Sequence, residues 1–387
     1  MKPITTITTK TTNKKGRNYI MKKNLYIDVH VLQTVPPSCV NRDDTGSPKT
    51  AIYGGTTRAR VSSQAWKHAM RAMFRDEIFD VEKLGLRTKN VIEMVEKEIF
   101  AINPLADGKK LAKDVLTNAG VNIKSDKNKA EKAEALFFMS NAQAKALAQV
   151  AVNSLTATAD EKKNYKKDCQ NALNESPSID IALFGRMVAS APLLNCDAAA
   201  QVAHSISTHT IQNEYDYFTA IDELAPEDAS GAGHLGTNEF NSSTLYRYAT
   251  VNLIELAGHL GKDATPEAAR GFIDAFVRSM PTGKQNTFAN RTLPSMVYVT
   301  LRRDQPVNLC GAFEKPVCAG KEGYAEKSEK QFIEYAEKMY ANYATAPERA
   351  FGIGDAIGEI SECMSFEKLL DAVSQVTAEY LNESEGI

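Results

Sequence analysis

The segment from Ser62 to Arg75 has two sides that cannot share one environment. Ser62 or Ser63 suits a helix N-cap, because a short side-chain oxygen can accept from the free N–H groups of the first turn. At about 100° per residue, Gln64, Arg71 and Arg75 nearly superimpose, with Lys67 and His68 flanking them. Trp66, Met70, Met73 and Phe74 fall opposite. The chain must therefore fold so that one side of this helix seals a core while the other offers cations and an amide to solvent. A solvated face is the plain reading of any such charge cluster. The preceding loop, however, adds Arg42, Lys49, Arg58 and Arg60, opposed locally only by Asp43 and Asp44. A basic loop feeding a basic helix face suits a partner with regularly spaced negative charge, such as a nucleic-acid backbone.

Composition sharpens that reading. The formal net charge is −2, so any nucleic-acid binding must come from local patches of this kind. A chain of 387 residues is long enough for a sizeable core and two or three subdomains. No apolar run approaches the ~20 residues of a membrane helix. The cysteines at 39, 169, 196, 310, 318 and 363 contain no CxxC pair, and no secretory signal is evident. Free thiols in a reducing cytoplasm are expected, with no cofactor. Residues 1–20, rich in Thr, Lys and Asn, read as a disordered extension, and Met21 as a possible start.

Along the chain, residues 24–33 alternate Leu25, Ile27, Val29 and Val31 with Tyr26, Asp28, His30 and Leu32, which predicts a half-buried strand. Residues 34–59 read as one long loop. Residues 84–175 are periodic or Ala-rich without strand signals and predict a helical insertion. Alternation at 178–187 predicts another strand. Residues 189–233 carry two strand-like arms, 205–211 and 215–220, of a protruding hairpin. A strand over 244–256, a helix over 266–280, a strand over 293–301 and closing helices over 328–344 and 365–382 follow. Without the insertion and the protrusion, the order is strand, helix, strand, strand, helix, strand. The fold class is α+β, with a ferredoxin-like or RNA-recognition-motif-like core.

Enzyme signals are sparse. Asp43 and Asp44 could bind a metal as nuclease carboxylates do, but adjacent acids on an extended loop point apart and no third ligand lies nearby. Orienting Arg42 or capping the loop is the simpler role. The six histidines show no HExxH spacing, and no P-loop or GxSxG occurs. The aromatic pattern with which RNA-recognition motifs stack bases is also missing. A core of this fold would then grip the RNA backbone and leave base edges free.

Four blocks in order carry a resemblance. They are 37–44 (PSCVNRDD), 58–64 (RARVSSQ), 180–187 (DIALFGRM) and 234–240 (HLGTNEF). From about Asn24 to the C-terminal region the chain resembles the CasC-type backbone subunits of type I-E CRISPR Cascade surveillance complexes. That resemblance implies a palm (21–83, 176–188 and 234–387), helical fingers (84–175) and a thumb (189–233). It implies a non-catalytic, antiviral-defence, guide-RNA-binding subunit that assembles head-to-tail with copies of itself along CRISPR RNA, in a ribonucleoprotein with the other Cascade subunits. The guide would be presented to target DNA, with cleavage left to a recruited nuclease. Arg42, Lys49, Arg58, Arg60, Ser62, Gln64, Lys67, Arg71 and Lys284 are implied to hold RNA. Met187, Tyr217, Phe218 and Thr219 are implied to wedge under displaced nucleotides, and Lys162 and Lys163 to touch target DNA. Thr56-Thr57-Arg58 is less basic than the family pattern, and His68 stands where a relative carries arginine.

Two other classes stay open at this stage. One is a metal-dependent RNA-cleaving enzyme using a loop aspartate, Asp43 or Asp44. The other is a filament-forming scaffold that ignores nucleic acid. Copy number, guide sequence, PAM and nuclease identity are not written in the chain.

Overall fold

A computed structural model describes residues 24–124, 131–220, 223–224 and 234–383. The N-terminal extension expected over 1–20 lies outside these. The chain opens with β1 (Tyr26–Ser38), the hairpin β2 (Thr50–Tyr53) and β3 (Thr56–Val61), and α1 (Ser63–Met73). The insertion holds β4 (Gly85–Thr88), α2 (Val91–Ile102), α3 (Gly108–Ala119), β5 (Ile123–Lys124), β6 (Lys132–Ala133), β7 (Phe137–Ser140), α4 (Asn141–Asn153) and α5 (Tyr165–Asn174). Then come α6 (Ile179–Phe184), β8 (Ala200–Val202), β9 (Ser205–Ser207), β10 (Glu214–Ala220), β11 (His234–Asn252), α7 (Leu253–Leu260), α8 (Thr265–Arg278) and α9 (Gln285–Phe288). The last elements are β12 (Met296–Arg302), α10 (Ala325–Asn342), β13 (Arg349–Ile353), β14 (Glu362–Cys363) and α11 (Phe366–Glu383).

The main sheet runs β14-β13-β12-β1-β11-β9-β3-β2. β1 sits between β11 and β12 and is antiparallel to both, with Val29 opposite Ala249 on one side and Val299 on the other. The elements β1, α1, β8–β9, β11, α8 and β12 form the strand, helix, strand, strand, helix, strand core. Their spatial order, fourth-first-third-second, is that of a ferredoxin-like sheet. Ile27, Val29 and Val31 meet Trp66, Met70, Phe272 and Phe276 in the main core.

The opposite face of β1 departs from the sequence expectation. Leu32, Tyr246, Tyr298 and Phe332 form a second core under α10, so β1 is buried on both sides. Asp28 and His30, expected at solvent, are enclosed there. Tyr248 Oη (2.9 Å) and the Val307 amide (2.9 Å) donate to Asp28. Burial raises its carboxyl to about 6. Burial first, then the nearby Arg302, lowers His30 to about 3. His30 Nδ1 lies 2.8 Å from Tyr246 Oη, while Nε2 has no hydrogen-bond partner among the described residues.

Three further expectations change. Residues 178–187 are not a strand but the short helix α6, which begins after Ser178 and stops at Gly185, whose φ is +77°. A brief apolar run does not distinguish a buried strand from a buried helical turn. The loop over 34–59 shrinks to 39–49, because β1 runs on to Ser38 and Gly54-Gly55 turn the β2–β3 hairpin. Of the two expected hairpin arms, 205–207 joins the main sheet. The protruding pair is β10 with the first half of β11, in register from Glu214 opposite Phe240 to Ala220 opposite His234. The insertion has its own core around Val95, Ile99, Leu116, Leu147 and Leu173. Among the described residues, no helix is long and apolar enough to cross a membrane.

Candidate nucleic-acid interface

The interface is assembled from the backbone outward. Ser62 caps α1 by accepting from the Ala65 amide (3.3 Å). Asn41 Oδ1 accepts from the Ser62 amide (2.9 Å), which pins the 39–49 loop to the helix start. The Lys49 amide donates to the Asn41 carbonyl (2.8 Å), and the Arg60 amide donates to the Lys49 carbonyl (2.9 Å). This lattice fixes one rim, with Arg42 exposed, Lys49 and Arg60 half-buried, and Gln64 exposed on the first turn of α1. Arg60 Nε donates to the Thr50 carbonyl (3.1 Å), and Nη1 donates to His204 Nδ1 (3.3 Å).

Asp43 serves the loop itself. Its carboxylate accepts from the Thr45 hydroxyl (2.7 Å), the Thr45 amide (3.0 Å) and the Ser47 amide (3.0 Å). The Thr45 side-chain bond leads the causes that hold this carboxyl below its ordinary value. Among the described residues no group of three or more His, Cys, Asp or Glu side chains is arranged to hold a metal ion.

Three sequence candidates are engaged by the protein's own groups. Arg58 is fully buried and donates to the carbonyls of Ser207 (2.9 Å), Phe313 (2.9 Å) and Glu314 (3.2 Å). Arg60, two residues on, shares its side of β3 by alternation, but residues 313–314 close over Arg58 alone. Ser62 is buried, its hydroxyl serving the cap. Arg71 donates to Asp180 Oδ2 (3.1 Å) and the Gly85 carbonyl (3.3 Å), and stacks 4.4 Å above the Phe138 ring. Asp180 is itself buried and also accepts from the Gly85 amide (2.8 Å). Arg71 therefore bolts α1 to the insertion. Lys67 stands between these roles, half-buried, with Nζ 5.8 Å from the Phe184 ring. Burial, then repulsion from Arg87, lowers its pKa.

A second basic point comes from the 281–295 loop. Gly283 presses against the Cys39 and Val40 carbonyls, where a side chain would collide. Lys284 follows in a left-handed conformation (φ 46°) and hydrogen-bonds Asn238 on β11. A non-glycine residue held there is over-determined by its surroundings, as happens at binding sites. Phe240 packs on Phe288 (5.7 Å between centroids), so this loop also braces the hairpin root.

On the hairpin, Tyr217 and Thr219 share one face, and Phe218 takes the other, its ring lying over Gly236. Tyr217 is 62% exposed and Phe218 38%. Met187, 86% exposed, stands at the rim of a cleft of about 820 Å³ whose lining includes Arg87, Phe138 and Phe184. Lys162 and Lys163 lie apart from all this, exposed on a short turn of the insertion, where Lys163 pairs with Asp160 (2.7 Å).

Sequence reasoning missed His204, Arg87, Asn41 and Asn238. Asn41 lies inside the 37–44 block, but nothing local signals that its side-chain oxygen holds the distant strand–helix junction at Ser62. His204 and Arg87 come to the interface only through pairing of β9 with β3 and of β4 with β7.

The profile of the CT1975-like protein family matches residues 27–375. A chain from a structure described as a CRISPR RNA-guided surveillance complex, pre-nicking, is similar at 30% identity and a TM-score of 0.77, covering 91% of this chain and 100% of that one. A second, from a CRISPR RNA-guided surveillance complex, is similar at 27% identity and a TM-score of 0.58, covering 91% of this chain and 99% of that one. No curated protein matches.

Proposed function

Since the chain belongs to the CT1975-like protein family, we propose that it is a non-catalytic backbone subunit of a CRISPR surveillance complex that holds the guide RNA by its phosphates. Support comes from whole-length similarity to chains of RNA-guided complexes. The observation that carries the reading is the rim, where Arg42, Lys49, Arg60 and Gln64 face outward on a backbone lattice set by Asn41. Lys67 and Lys284 extend it. Cations so placed take phosphates without reading bases, which leaves the guide free to pair with target DNA.

Copies assemble head-to-tail in a type I-E complex, an arrangement that stays open rather than closing. Met187, Tyr217, Phe218 and Thr219 support displaced nucleotides by stacking or apolar contact. Lys162 and Lys163, exposed on a short turn of the insertion, contact target DNA. Cleavage belongs to a recruited nuclease. No specific observation favours the RNA-cleaving alternative, since Asp43 is engaged by Thr45 and Ser47.

The deciding experiment is to sequence the nucleic acid that co-purifies with this chain from cells carrying its array and neighbouring subunits. Repeat–spacer RNAs of uniform length are expected. An RNA-free preparation, or a random mixture, would overturn the proposal.

A further inference from the structure

His204 was assigned no role by the sequence, yet it stands beside two of the rim cations. It lies between β8 and β9, exposed, and its Nδ1 accepts from Arg60 Nη1 at 3.3 Å. A guanidinium has no acceptor, so this bond fixes the tautomer: Nδ1 carries the lone pair and Nε2 carries the proton. Arg60 is held from the other side by the Thr50 carbonyl (3.1 Å), so its guanidinium has a defined position against the imidazole. Among the described residues, the charged groups acting on His204 are Arg60 from β3 and Lys49 from the loop before β2. The Arg60 amide donates to the Lys49 carbonyl (2.9 Å) and both residues line one small cleft, so Lys49, Arg60 and His204 are neighbours, and none of the ion pairs among the described residues draws on them.

We propose that Lys49, Arg60 and His204 form one phosphodiester-binding site, in which the imidazole takes up a proton as the phosphate arrives. The inference rests on the nucleic-acid reading above and adds the site's third member and its proton linkage. Empty, the site favours neutral imidazole, because a proton on Nδ1 would break the bond from Arg60 and add a third positive charge beside two. Partial burial first, then Arg60 and Lys49, accordingly hold His204 below its ordinary value. A phosphate between the three reverses the balance. It stays ionised through this pH range, compensates the two permanent cations, and gains a charge-assisted donor when the imidazole is protonated. A group whose pKa rises on binding makes binding stronger as pH falls, by at most about tenfold per pH unit for one proton.

The test is filter binding of radiolabelled oligouridine, which has no base titrating in this range, to the full chain at fixed ionic strength from about pH 8 to about pH 5.5. The expected result is an affinity gain of about three- to tenfold on acidification for the wild type. The same gain is expected for His68→Gln, which removes the other exposed histidine of the basic face. The gain should vanish in His204→Gln. His204→Lys, a permanent cation, should bind at neutral pH as tightly as the wild type does in acid, with no pH dependence. An undiminished pH dependence in His204→Gln, or a flat profile for the wild type, would overturn this site while leaving RNA binding intact. Failure of the wild type to bind at any pH would overturn the nucleic-acid reading itself, and this site with it.

Discussion

The rim built by the 39–49 loop and β3, and the joint where α1 and the α6 segment meet the helical insertion, both gather arginines and use them in opposite ways. At the rim, Arg42 and Arg60 stand outward from a lattice of backbone bonds. At the joint, Arg186 is buried and donates to the carbonyls of Leu194 (2.9 Å), Phe138 (3.2 Å) and Leu173 (2.8 Å) and to Gln143 Oε1 (3.1 Å). Arg71 closes the same joint onto Asp180. A buried guanidinium surrounded by carbonyls is a fastener, since each bond it makes satisfies an acceptor that has lost its water. An exposed one without an acid is available to a phosphate. What separates binding from framework is therefore the partner already in place, and cation density along the sequence does not report it.

The contrast yields tests of graded size. Arg186→Ala strands several buried acceptors and opens a cavity, so it should cost about 3–5 kcal/mol of stability. Chemical denaturation followed by circular dichroism checks this, and a loss below about 1 kcal/mol would erase the distinction between joint and rim. The triple replacement of Arg42, Lys49 and Arg60 by Ala should do the reverse. Stability should stay within about 0.5 kcal/mol for each site, while the slope of log affinity for RNA against log salt falls by about two to three. An unchanged slope would return these residues to a plain solvated face.

Arg71→Ala sharpens the boundary, because the sequence places Arg71 on the binding face and the structure places it in the joint. It should lower stability by about 1–3 kcal/mol and leave the salt slope nearly unchanged. Lys67→Ala, its neighbour on α1, should instead lower the slope by about one. If Arg71→Ala flattens the slope as Lys67→Ala does, the joint is also a contact.

The smallest effect concerns titration in the fully enclosed core beneath α10. His30 is lowered from 6.5 to about 3, so its contribution to stability is present above 6.5 and is lost as pH falls toward 3. Asp28 is raised from 3.8 to about 6, so its contribution is present below 3.8 and is lost as pH rises through 6. The two slopes oppose each other between those limits. Asp28→Asn should unmask His30 and make stability fall more steeply on acidification, by up to about 1.4 kcal/mol per pH unit. Parallel profiles of melting temperature against pH for variant and wild type would refute the opposition.

Much of the fold was legible because it rests on local rules. The two-sided pattern of 62–75 located α1 and its cap, and the alternation from Leu25 onward located β1. The amphipathic segments near the C-terminus became α8, α10 and α11. The errors arose where burial erased periodicity. Residues 179–183 are all buried, Asp180 included, because α6 is enclosed, so alternation there carried no information. Asp28 and His30 read as solvent-facing because nothing in β1 announces that α10 will cover them. Within the candidate site, loop positions such as Arg42 and Lys49 were visible as charges, whereas His204 was not, being 144 residues from the arginine it meets.

By itself, the sequence determined α1 with its two sides, the position of β1, the amphipathic C-terminal helices, and a cluster of basic residues in a chain of net charge −2. Only the tertiary structure decided which of those cations remain available. Arg58 and Arg60 are two residues apart on one strand, yet one is sealed among carbonyls and the other stands beside His204. Alternation sets them on a common side of the chain in principle, but the long-range pairing of β3 with β9 and the close approach of residues 313–314 decide what each guanidinium meets. Partners that far apart in sequence are chosen by packing, because no local propensity reaches across such a separation.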